Sequence, residues 1–292
     1  MKNRVKIVGV ITLRSPLSHG ADEKMGTDTK FRRMTYMVSG EPMDVPIISG
    51  NSIRGQMRRV AAMDFLERLG LAKEKLLTDS LYYMMFSGGA LEKGAGKPYI
   101  DIGSKRQLRE MMPFMSLFGG AIENQIMAGK LEVDHAIPIC SELIEYTNIE
   151  EKKSFWDMLE EIYYTRRDDL EEKSGEVKTQ QMKYTTECLS AGTRLLHGFT
   201  LNYVNEVEEA CFYNALRLWI EKDSIGGLSA IGHGRFRGGY LIDQKIEIEK
   251  ADISAYGKYM EENKKKLTDY VHRLEQPKTL KPSKTQNENS SD

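Results

Sequence analysis

The chain has 292 residues, of which 40% are hydrophobic and 29% are charged, and its formal net charge is −1. This composition is typical of a globular protein with a substantial core, and the absence of any apolar run of roughly 18 residues argues against a membrane span. Three widely spaced cysteines argue against a disulfide framework and a cysteine zinc site, and favour a reducing, cytoplasmic location. The charge is uneven, because residues 1–60 carry eleven Lys or Arg against five acids.

The first third of the chain predicts a strand, a long connection and a helix. In residues 4–13, both the odd-numbered and the even-numbered positions include apolar side chains. This pattern predicts a central strand covered on both faces and not a signal peptide. Residues 14–45 contain Pro and Gly without periodicity and predict a long loop or hairpin. Capping residues at 49–52 and helical apolar spacing from residue 53 predict a helix that ends at Gly70.

The rest of the chain predicts further strands and helices around a large insertion. In order, these are a mainly helical insertion (about 71–130), a strand (131–139), an exposed β-hairpin (about 163–185), a strand (195–204), an amphipathic helix (207–222) and a last strand (240–248). Residues 264–292 are polar and predict a disordered tail. The pattern predicts an α+β fold in which residues 1–263 form one domain with a ferredoxin-like core.

Residues 48–59, ISGNSIRGQMRR, form the first candidate binding motif. A helix start presents unpaired N–H groups that suit phosphate, and Gly50 and Gly55 allow another backbone to approach closely. Arg54 and Arg58 share one helical face, and basic residues in the first turns oppose the helix dipole unless an anion is bound. The alternative is a capped amphipathic helix with solvated arginines.

Residues 226–239, GGLSAIGHGRFRGG, form the second candidate motif. Six glycines in fourteen residues predict special backbone dihedrals or close ligand contact. The segment has neither a Walker loop nor a dinucleotide fingerprint. Arginines interleaved with His233 and Phe236 favour a role in gripping a nucleic-acid backbone and stacking on bases. A flexible surface loop is the alternative.

A third stretch, residues 17–33, mixes acidic and basic side chains. Its ionisable residues are His19, Asp22, Glu23, Lys24, Asp28, Lys30, Arg32 and Arg33. A general base or a metal site is conceivable here, but such a mixture is more typical of a solvated loop. His135 and His197 are interpreted as packing residues, and no spacing typical of metal ligands recurs.

Four segments together resemble the repeat-associated mysterious protein (RAMP) superfamily of CRISPR-associated proteins, and among these the backbone subunits that polymerise along guide RNA. The segments are PIISGNSIRGQMR (46–58), FMSLFGG (114–120), ECLSAGT (187–193) and the glycine-rich residues 226–239. Ser49 and Asn51 depart from the signature of the first segment. The Ser18–Gly20 start, the Gly50–Asn51 variant and the TRRDDL segment are most similar to the type IV backbone subunit.

The resemblance implies a modified RNA-recognition-motif fold, with residues 163–185 as a thumb hairpin. It implies sequence-independent binding of guide RNA, self-association in a helical filament, other effector subunits as partners, and DNA or RNA targets that pair with the guide. No cofactor, metal or membrane is expected. The residues expected to contact RNA are His19, Lys30, Arg32, Arg33, Gly50, Asn51, Ser52, Arg54, Gly55, Arg58, Arg59, Arg166, Arg167, Gly232, His233, Gly234, Arg235 and Arg237.

Two enzymatic alternatives remain open. The type III relatives cleave target RNA through an aspartate in a comparable loop, and Asp28 aligns loosely with it, although the flanking residues differ. Guide processing through His19 is the related possibility. A small-molecule enzyme that uses the glycine-rich loop for a nucleotide is a further alternative, and it predicts a monomer without bound nucleic acid.

Overall fold

Strand β1 (Lys2–Leu13) lies at the centre of the fold. In this computed structural model, which describes residues 2–21, 28–71, 78–89, 102–122, 125–166 and 182–275, β1 pairs in antiparallel fashion with two strands. On one side is β11 (Arg194–Val204) and on the other is β12 (Phe236–Ile242). Both partners lie some two hundred residues away in sequence, so the sheet depends on long-range pairing.

The main sheet has the strand order β13-β12-β1-β11-β7, and β8 also pairs with β11. Helix α1 follows β1 in the chain, and helix α6 connects β11 with β12. The chain order β1-α1-β7-β11-α6-β12 is therefore the β-α-β-β-α-β arrangement of a ferredoxin-like fold. This confirms the predicted α+β fold class with insertions.

The remaining elements complete this core and its insertions. The helices are α1 (Gly50–Leu69), α2 (Asp79–Phe86), α3 (Ile102–Met111), α4 (Pro113–Phe118), α5 (Ile144–Thr147), α6 (Glu206–Lys222), α7 (Ser254–Glu262) and α8 (Lys264–Glu275). The other strands are β2 (Asp28–Thr29), β3 (Arg33–Val38), β4 (Glu41–Pro46), β5 (Gly120–Ile122), β6 (Gln125–Met127), β7 (Leu131–Val133), β8 (Ile137–Pro138), β9 (Leu159–Arg166), β10 (Met182–Leu189) and β13 (Ile246–Glu247). Within the described ranges, no helix is long and apolar enough to cross a membrane.

Only one face of the main sheet is fully covered. Val5, Ile7 and Ile11 of β1 are completely buried on the face that α1 and α6 cover. On the opposite face Lys6 is exposed and Val8 is only half-buried. The prediction that β1 is covered on both faces is therefore wrong, because both large helices pack on the same side. We call the opposite side the open face.

Helix α1 begins and ends where the sequence predicts. Ser49 is the N-cap, and its hydroxyl accepts the Ser52 N–H at 3.2 Å. Gly70 ends the helix in the left-handed conformation (φ +83°). The buried face of the helix includes Ile53, Met57 and Phe65, as the periodicity indicates.

Helix α8 corrects the prediction of a disordered tail from residue 264. Its residues Leu267, Tyr270 and Val271 are buried, and the helix packs on α1 and α7. The apolar side chains recur at helical spacing, but the many lysines and acids around them lower the average hydrophobicity. Residues 276–292 lie outside the described part of the chain.

A second sheet, of β2, β9 and β10, contains both ends of the segment predicted to form a thumb hairpin, and we call it the thumb sheet. Strands β9 and β10 are antiparallel, with Arg166 opposite Met182, and β2 pairs in parallel with β10. Tyr164 and Tyr184 are directly opposite each other, and their rings stack at 5.3 Å. The antiparallel pairing of β9 with β10 agrees with the hairpin predicted for 163–185, although the pairing extends from Leu159 to Leu189. Residues 167–181 lie outside the described part of the chain.

A polar contact is buried under the main sheet. The Tyr240 hydroxyl lies 3.0 Å from Nδ1 of His197, and both side chains are almost completely buried. Gly9 lies opposite both residues on β1, and a methyl group there would collide with the Tyr240 ring. Burial lowers the pKa of His197 to about 3 and raises that of Tyr240 well above its ordinary value. Both groups are therefore neutral in the folded protein near neutral pH.

We predict that His197 makes stability depend on pH below about 6.5. The unfolded chain binds a proton there that the folded chain does not, so stability is fully present above the ordinary histidine pKa and falls as the pH drops toward 3. Between pH 7.5 and 5.5, this residue alone removes about 1.4 kcal/mol from the free energy of unfolding. Urea titrations of the wild type and His197→Gln at both pH values measure the difference.

The Tyr240→Phe variant is the matched control, because it removes the hydroxyl but keeps the imidazole. It is expected to show the same pH-dependent loss as the wild type. Equal pH-dependence in the wild type and His197→Gln would contradict the assignment.

Candidate nucleic-acid interface

The segment of residues 15–21, here called the connecting segment, joins three of the motifs. It holds the glycine-rich loop through the Gly227 N–H to the Ser18 carbonyl and the Gly234 N–H to the Pro16 carbonyl, each at 2.8 Å. Leu17 forms a bridge with Leu189 at the end of β10. The glycine-rich loop and the end of the thumb sheet therefore lie side by side.

The same segment reaches the start of α1 through a histidine. The Ser49 N–H donates to Nε2 of His19 at 3.2 Å, and the Gly50 N–H donates to Nδ1 of His135 at 3.0 Å. Two imidazoles thus occupy N–H groups that were predicted to bind phosphate. The helix start and the glycine-rich loop are neighbours as predicted, but His19 contributes by capping the helix.

The residues at the start of α1 differ in what they leave accessible. A side chain at Gly50 would collide with the carbonyls of Val133 and Asp134, so this glycine permits close packing of the protein's own backbone. The backbone N–H of Ser52 is taken by the Ser49 cap. These two residues therefore have structural roles in place of the predicted phosphate contacts. Asn51 is exposed, and Gly55 is half-buried, with Nη2 of Arg59 4.0 Å from where a side chain there would begin.

Arg54 and Arg58 bind the protein's own main chain. Nη2 of each arginine donates to the Phe118 carbonyl at 2.7 Å, and Nη1 of Arg54 donates to the Leu131 carbonyl at 2.6 Å. Phe118 is the last residue of α4, where unpaired carbonyls and the helix dipole attract cations. We call this arrangement the arginine clamp. It joins two segments of the sequence signature, residues 46–58 and 114–120.

Burial explains why the clamp is unsuitable for RNA. Arg58 is 6% exposed, and its guanidinium lies 5.6 Å from the centre of the Phe118 ring. Burial, with the nearby charge of Arg54, lowers the pKa of Arg58 to about 10, and burial lowers that of Arg54. Both remain cations near neutral pH, held by carbonyls. The predicted phosphate contact is therefore contradicted for Arg58, and the half-buried Arg54 is committed to the same carbonyl.

Part of the glycine-rich loop is buried against the protein, and part of it is exposed. Gly234 is buried with φ +72°, and a side chain there would collide with the Ile225 carbonyl. Gly232 also has a positive φ (+90°), but it is exposed with open space around it. Phe236 is buried against Trp219 at 4.8 Å, so the predicted stacking of Phe236 on bases is wrong.

His233 is also turned into the protein. It is 8% exposed, and its Nδ1 lies 3.8 Å from Sγ of Cys188. Burial lowers the pKa of His233 and raises that of Cys188 to about 12, so neither a cationic imidazole nor a thiolate is present near neutral pH. The predicted RNA contact through the His233 ring is therefore contradicted.

Two basic residues at the end of the third stretch are paired with acids of the thumb sheet. Arg33 donates to Glu187 at 2.6 Å, and the same carboxylate accepts the Phe31 N–H at 2.8 Å. Lys30 pairs with Glu161 at 3.2 Å, but both side chains are about half exposed. A pair this exposed contributes little to stability, so Lys30 can exchange its partner for a phosphate.

Arg32 and the thumb arginines complete the predicted set. Arg32 is half-buried, and its backbone connects the connecting segment with β4 through the His19 carbonyl and the Ile47 N–H. Arg166 is the last residue of β9. Arg167 lies outside the described residues.

Three of the predicted arginines keep exposed guanidinium groups. Arg59 and Arg237 have no ion pair or side-chain hydrogen bond among the described residues, and both are exposed. Arg235 forms an ion pair with Asp223, and Arg14 approaches the same carboxylate at 3.5 Å. The side chain of Arg235 remains 49% exposed. With Lys30, these arginines are the predicted cations that the structure leaves available to an anion.

Asp28 gains no support as a catalytic residue. It lies in β2 opposite Thr185 of β10, and its side chain is exposed. Within the described ranges, no group of three or more His, Cys, Asp or Glu is placed to hold a metal ion.

The sequence analysis missed the roles of Glu187 and His135. Glu187 is the first residue of the ECLSAGT segment, and its place in that signature was the only available signal. His135 lies beside the start of α1 only after β7 has paired with β11. No local pattern around His135 predicts that contact.

We predict that Arg58 contributes to the stability of the fold and that the adjacent Arg59 does not. Arg58→Met leaves buried partners unpaired and is expected to lower the free energy of unfolding by about 1–3 kcal/mol. The adjacent Arg59→Met changes an exposed side chain and is expected to alter it by less than about 0.5 kcal/mol. Urea unfolding of both variants tests this, and equal losses would contradict the assignment of Arg58 to the clamp.

The comparisons with known proteins agree with the fold. A chain of the solved structure described as "Type IV-B CRISPR Complex" aligns with a TM-score of 0.59 and 24% identity, over 82% of this chain and 90% of that chain. At this identity the similarity shows a shared fold. No curated protein matches the sequence. The family model of the RAMP superfamily matches residues 10–237, and the chain belongs to that superfamily.

Proposed function

We propose that this chain is a backbone subunit of a CRISPR effector complex and binds guide RNA through its phosphates. The observation that carries the proposal is the connecting segment, which brings the α1 motif, the glycine-rich loop and the thumb sheet together in a member of the RAMP superfamily. Contacts to phosphate hold a strand without reading its sequence, as a subunit that accepts any guide requires.

The accessible groups of this region suit a single strand of RNA. Exposed cations come from three elements, namely Arg59 on α1, Arg237 on β12 and Lys30 after β2. Asn51 of the α1 motif and Gly232 of the glycine-rich loop are also exposed. Backbone and polar contacts of this kind fix the path of a strand, while the cations neutralise its charge.

The partners follow from the same assignment. Copies of the chain would lie next to one another along the guide, with the hairpin of β9 and β10 as the thumb that interrupts pairing at intervals. Target DNA or RNA would pair with the guide, and other effector subunits would bind at the ends of the filament. A guide-bound complex of this kind works in the cytoplasm. The similarity in fold to a chain of a type IV-B complex favours the type IV assignment.

We expect the Arg59→Gln/Arg237→Gln double variant to bind single-stranded RNA more weakly and with less dependence on salt. Losing two phosphate contacts lowers the slope of log K against log salt by about 1.4, because each contact to single-stranded RNA contributes about 0.7. Fluorescence anisotropy with labelled RNA at several KCl concentrations measures the slope.

The matched control is Lys250→Gln/Lys258→Gln, which also removes two exposed cations. These lysines lie after β13 and on α7. The control is expected to keep the wild-type slope. If the two double variants reduced the slope equally, the contribution would be general charge and the proposed surface would be wrong.

Purification of the chain with its neighbouring subunits tests the function as a whole. We expect an absorbance ratio at 260 and 280 nm that indicates bound nucleic acid, and sequencing is expected to recover guide RNA. A monomer that carries no nucleic acid under these conditions would overturn the proposal.

A further inference from the structure

A cavity of about 360 Å³ opens on the open face of the main sheet, outside the motifs of the sequence signature. Its floor is formed by Val8 of β1 and by Leu196 and Gly198 of β11. Tyr36 from the β3–β4 hairpin and Tyr146 from α5 also line it. Helices cover the other face of the sheet, whereas this face has a half-covered apolar slot.

The two tyrosines give the cavity an aromatic wall. Their ring centres are 5.1 Å apart and their planes are nearly perpendicular, at 84°. The Tyr146 hydroxyl donates to the Met37 carbonyl at 2.8 Å, which fixes the ring while leaving the side chain 45% exposed. A fixed, partly exposed aromatic ring is a platform on which a planar base stacks with any sequence.

A donor and an acceptor stand next to each other in the same lining. Because Nδ1 of His135 accepts the Gly50 N–H, the proton of the neutral ring is on Nε2. The Asp134 carboxylate lies over Gly198, where any side chain would collide with it. Among the described residues, neither Nε2 of His135 nor the Asp134 carboxylate has a hydrogen-bond partner. All four RNA bases offer a donor beside an acceptor on the Watson–Crick edge, so this pair suits each of them.

Cations lie on the same side of the sheet. Lys6 is two residues before Val8 on β1 and therefore projects from the same face, and Arg4 follows the same alternation. Both act electrostatically on the Asp134 carboxylate. Apolar walls, an aromatic platform, a hydrogen-bonding pair and nearby cations are the chemistry of a nucleotide in a single strand.

A second, larger cavity does not share this chemistry. It has a volume of about 740 Å³ and lies between α6, β12 and α7. Four carboxylates line it, from Glu206, Glu209, Asp243 and Asp252, against only two lysines. This balance repels phosphate, so the smaller cavity is the better site for a piece of RNA.

We propose that the cavity on the open face is a nucleobase pocket that takes one unpaired base of the bound RNA, with Lys6 and Arg4 at the adjoining phosphates. This inference rests on the proposed function and adds to it a base-stacking site that is separate from the arginine clamp. Tyr146 stacks on the base, and Asp134 and His135 hydrogen-bond its edge. The site holds the strand without selecting its sequence.

The test compares two strands of equal length, a single-stranded RNA of mixed sequence and a fully abasic strand with the same phosphates. For the full-length wild type, the dissociation constant of the abasic strand divided by that of the RNA measures what the bases contribute to binding. We expect Tyr146→Ala and Asp134→Ala to lower this ratio by at least about fivefold, the lower end of the effect of losing one stacked base. Tyr83→Ala removes another exposed tyrosine, on α2, and is expected to leave the ratio unchanged.

A second measurement does not depend on variants. RNA that contains 4-thiouridine is crosslinked to the wild type by light, and the modified peptides are identified by mass spectrometry. We expect nucleotide adducts on peptides that contain Tyr36 or Tyr146.

The outcomes separate this inference from the function on which it rests. If the wild type binds RNA but Tyr146→Ala and Asp134→Ala keep the wild-type ratio, the pocket holds no base and only this inference fails. A protein side chain crosslinked at Tyr146 in the assembled complex, without nucleotide adducts, would overturn it in favour of a protein partner. If the wild type binds neither strand at any salt concentration, the proposed function fails and the pocket fails with it.

Discussion

The fold depends on one shared carbonyl oxygen, that of Phe118, which accepts hydrogen bonds from Arg54 and Arg58. Two guanidinium groups beside each other in a protein interior repel, and each loses its hydration. The end of α4 compensates with the negative end of its dipole and an unpaired carbonyl. No carboxylate of the described residues forms an ion pair with either arginine. The insertion is thereby attached to α1, and α1 is held against the sheet where the interface begins.

This constraint divides the cations of one helix between two tasks. Arg58 is buried and supports the insertion, whereas the next residue, Arg59, is exposed to solvent. A similar division occurs at the helix start, where imidazoles take the N–H groups of Ser49 and Gly50 and leave Asn51 outside. Signature residues such as Gly50, Arg54 and Arg58 thus hold the protein's own backbone together, while their neighbours Asn51 and Arg59 remain exposed to solvent.

Sequence patterns predicted the elements better than the contacts between them. The capping of α1, its periodicity and its end at Gly70 are local properties, and they were read correctly. The partners of Arg54, Arg58 and Gly50 lie between 60 and 85 residues away, so no local pattern identifies them. Helix α8 was not predicted for a different reason. Its charged residues outnumber its apolar side chains, although the apolar Leu267 and Val271 are buried.

The position of α8 also bears on the order in which the chain can fold. This helix packs on α1, and β12 completes the central strand pairing from a similarly late point in the chain. During synthesis, α1 leaves the ribosome early, whereas its packing partner α8 is made only after about two hundred more residues. Folding that depends on such distant contacts is slow compared with local helix formation. A nascent chain therefore displays its basic amino-terminal region long before the surface is assembled, and RNA captured then would meet an unfinished protein.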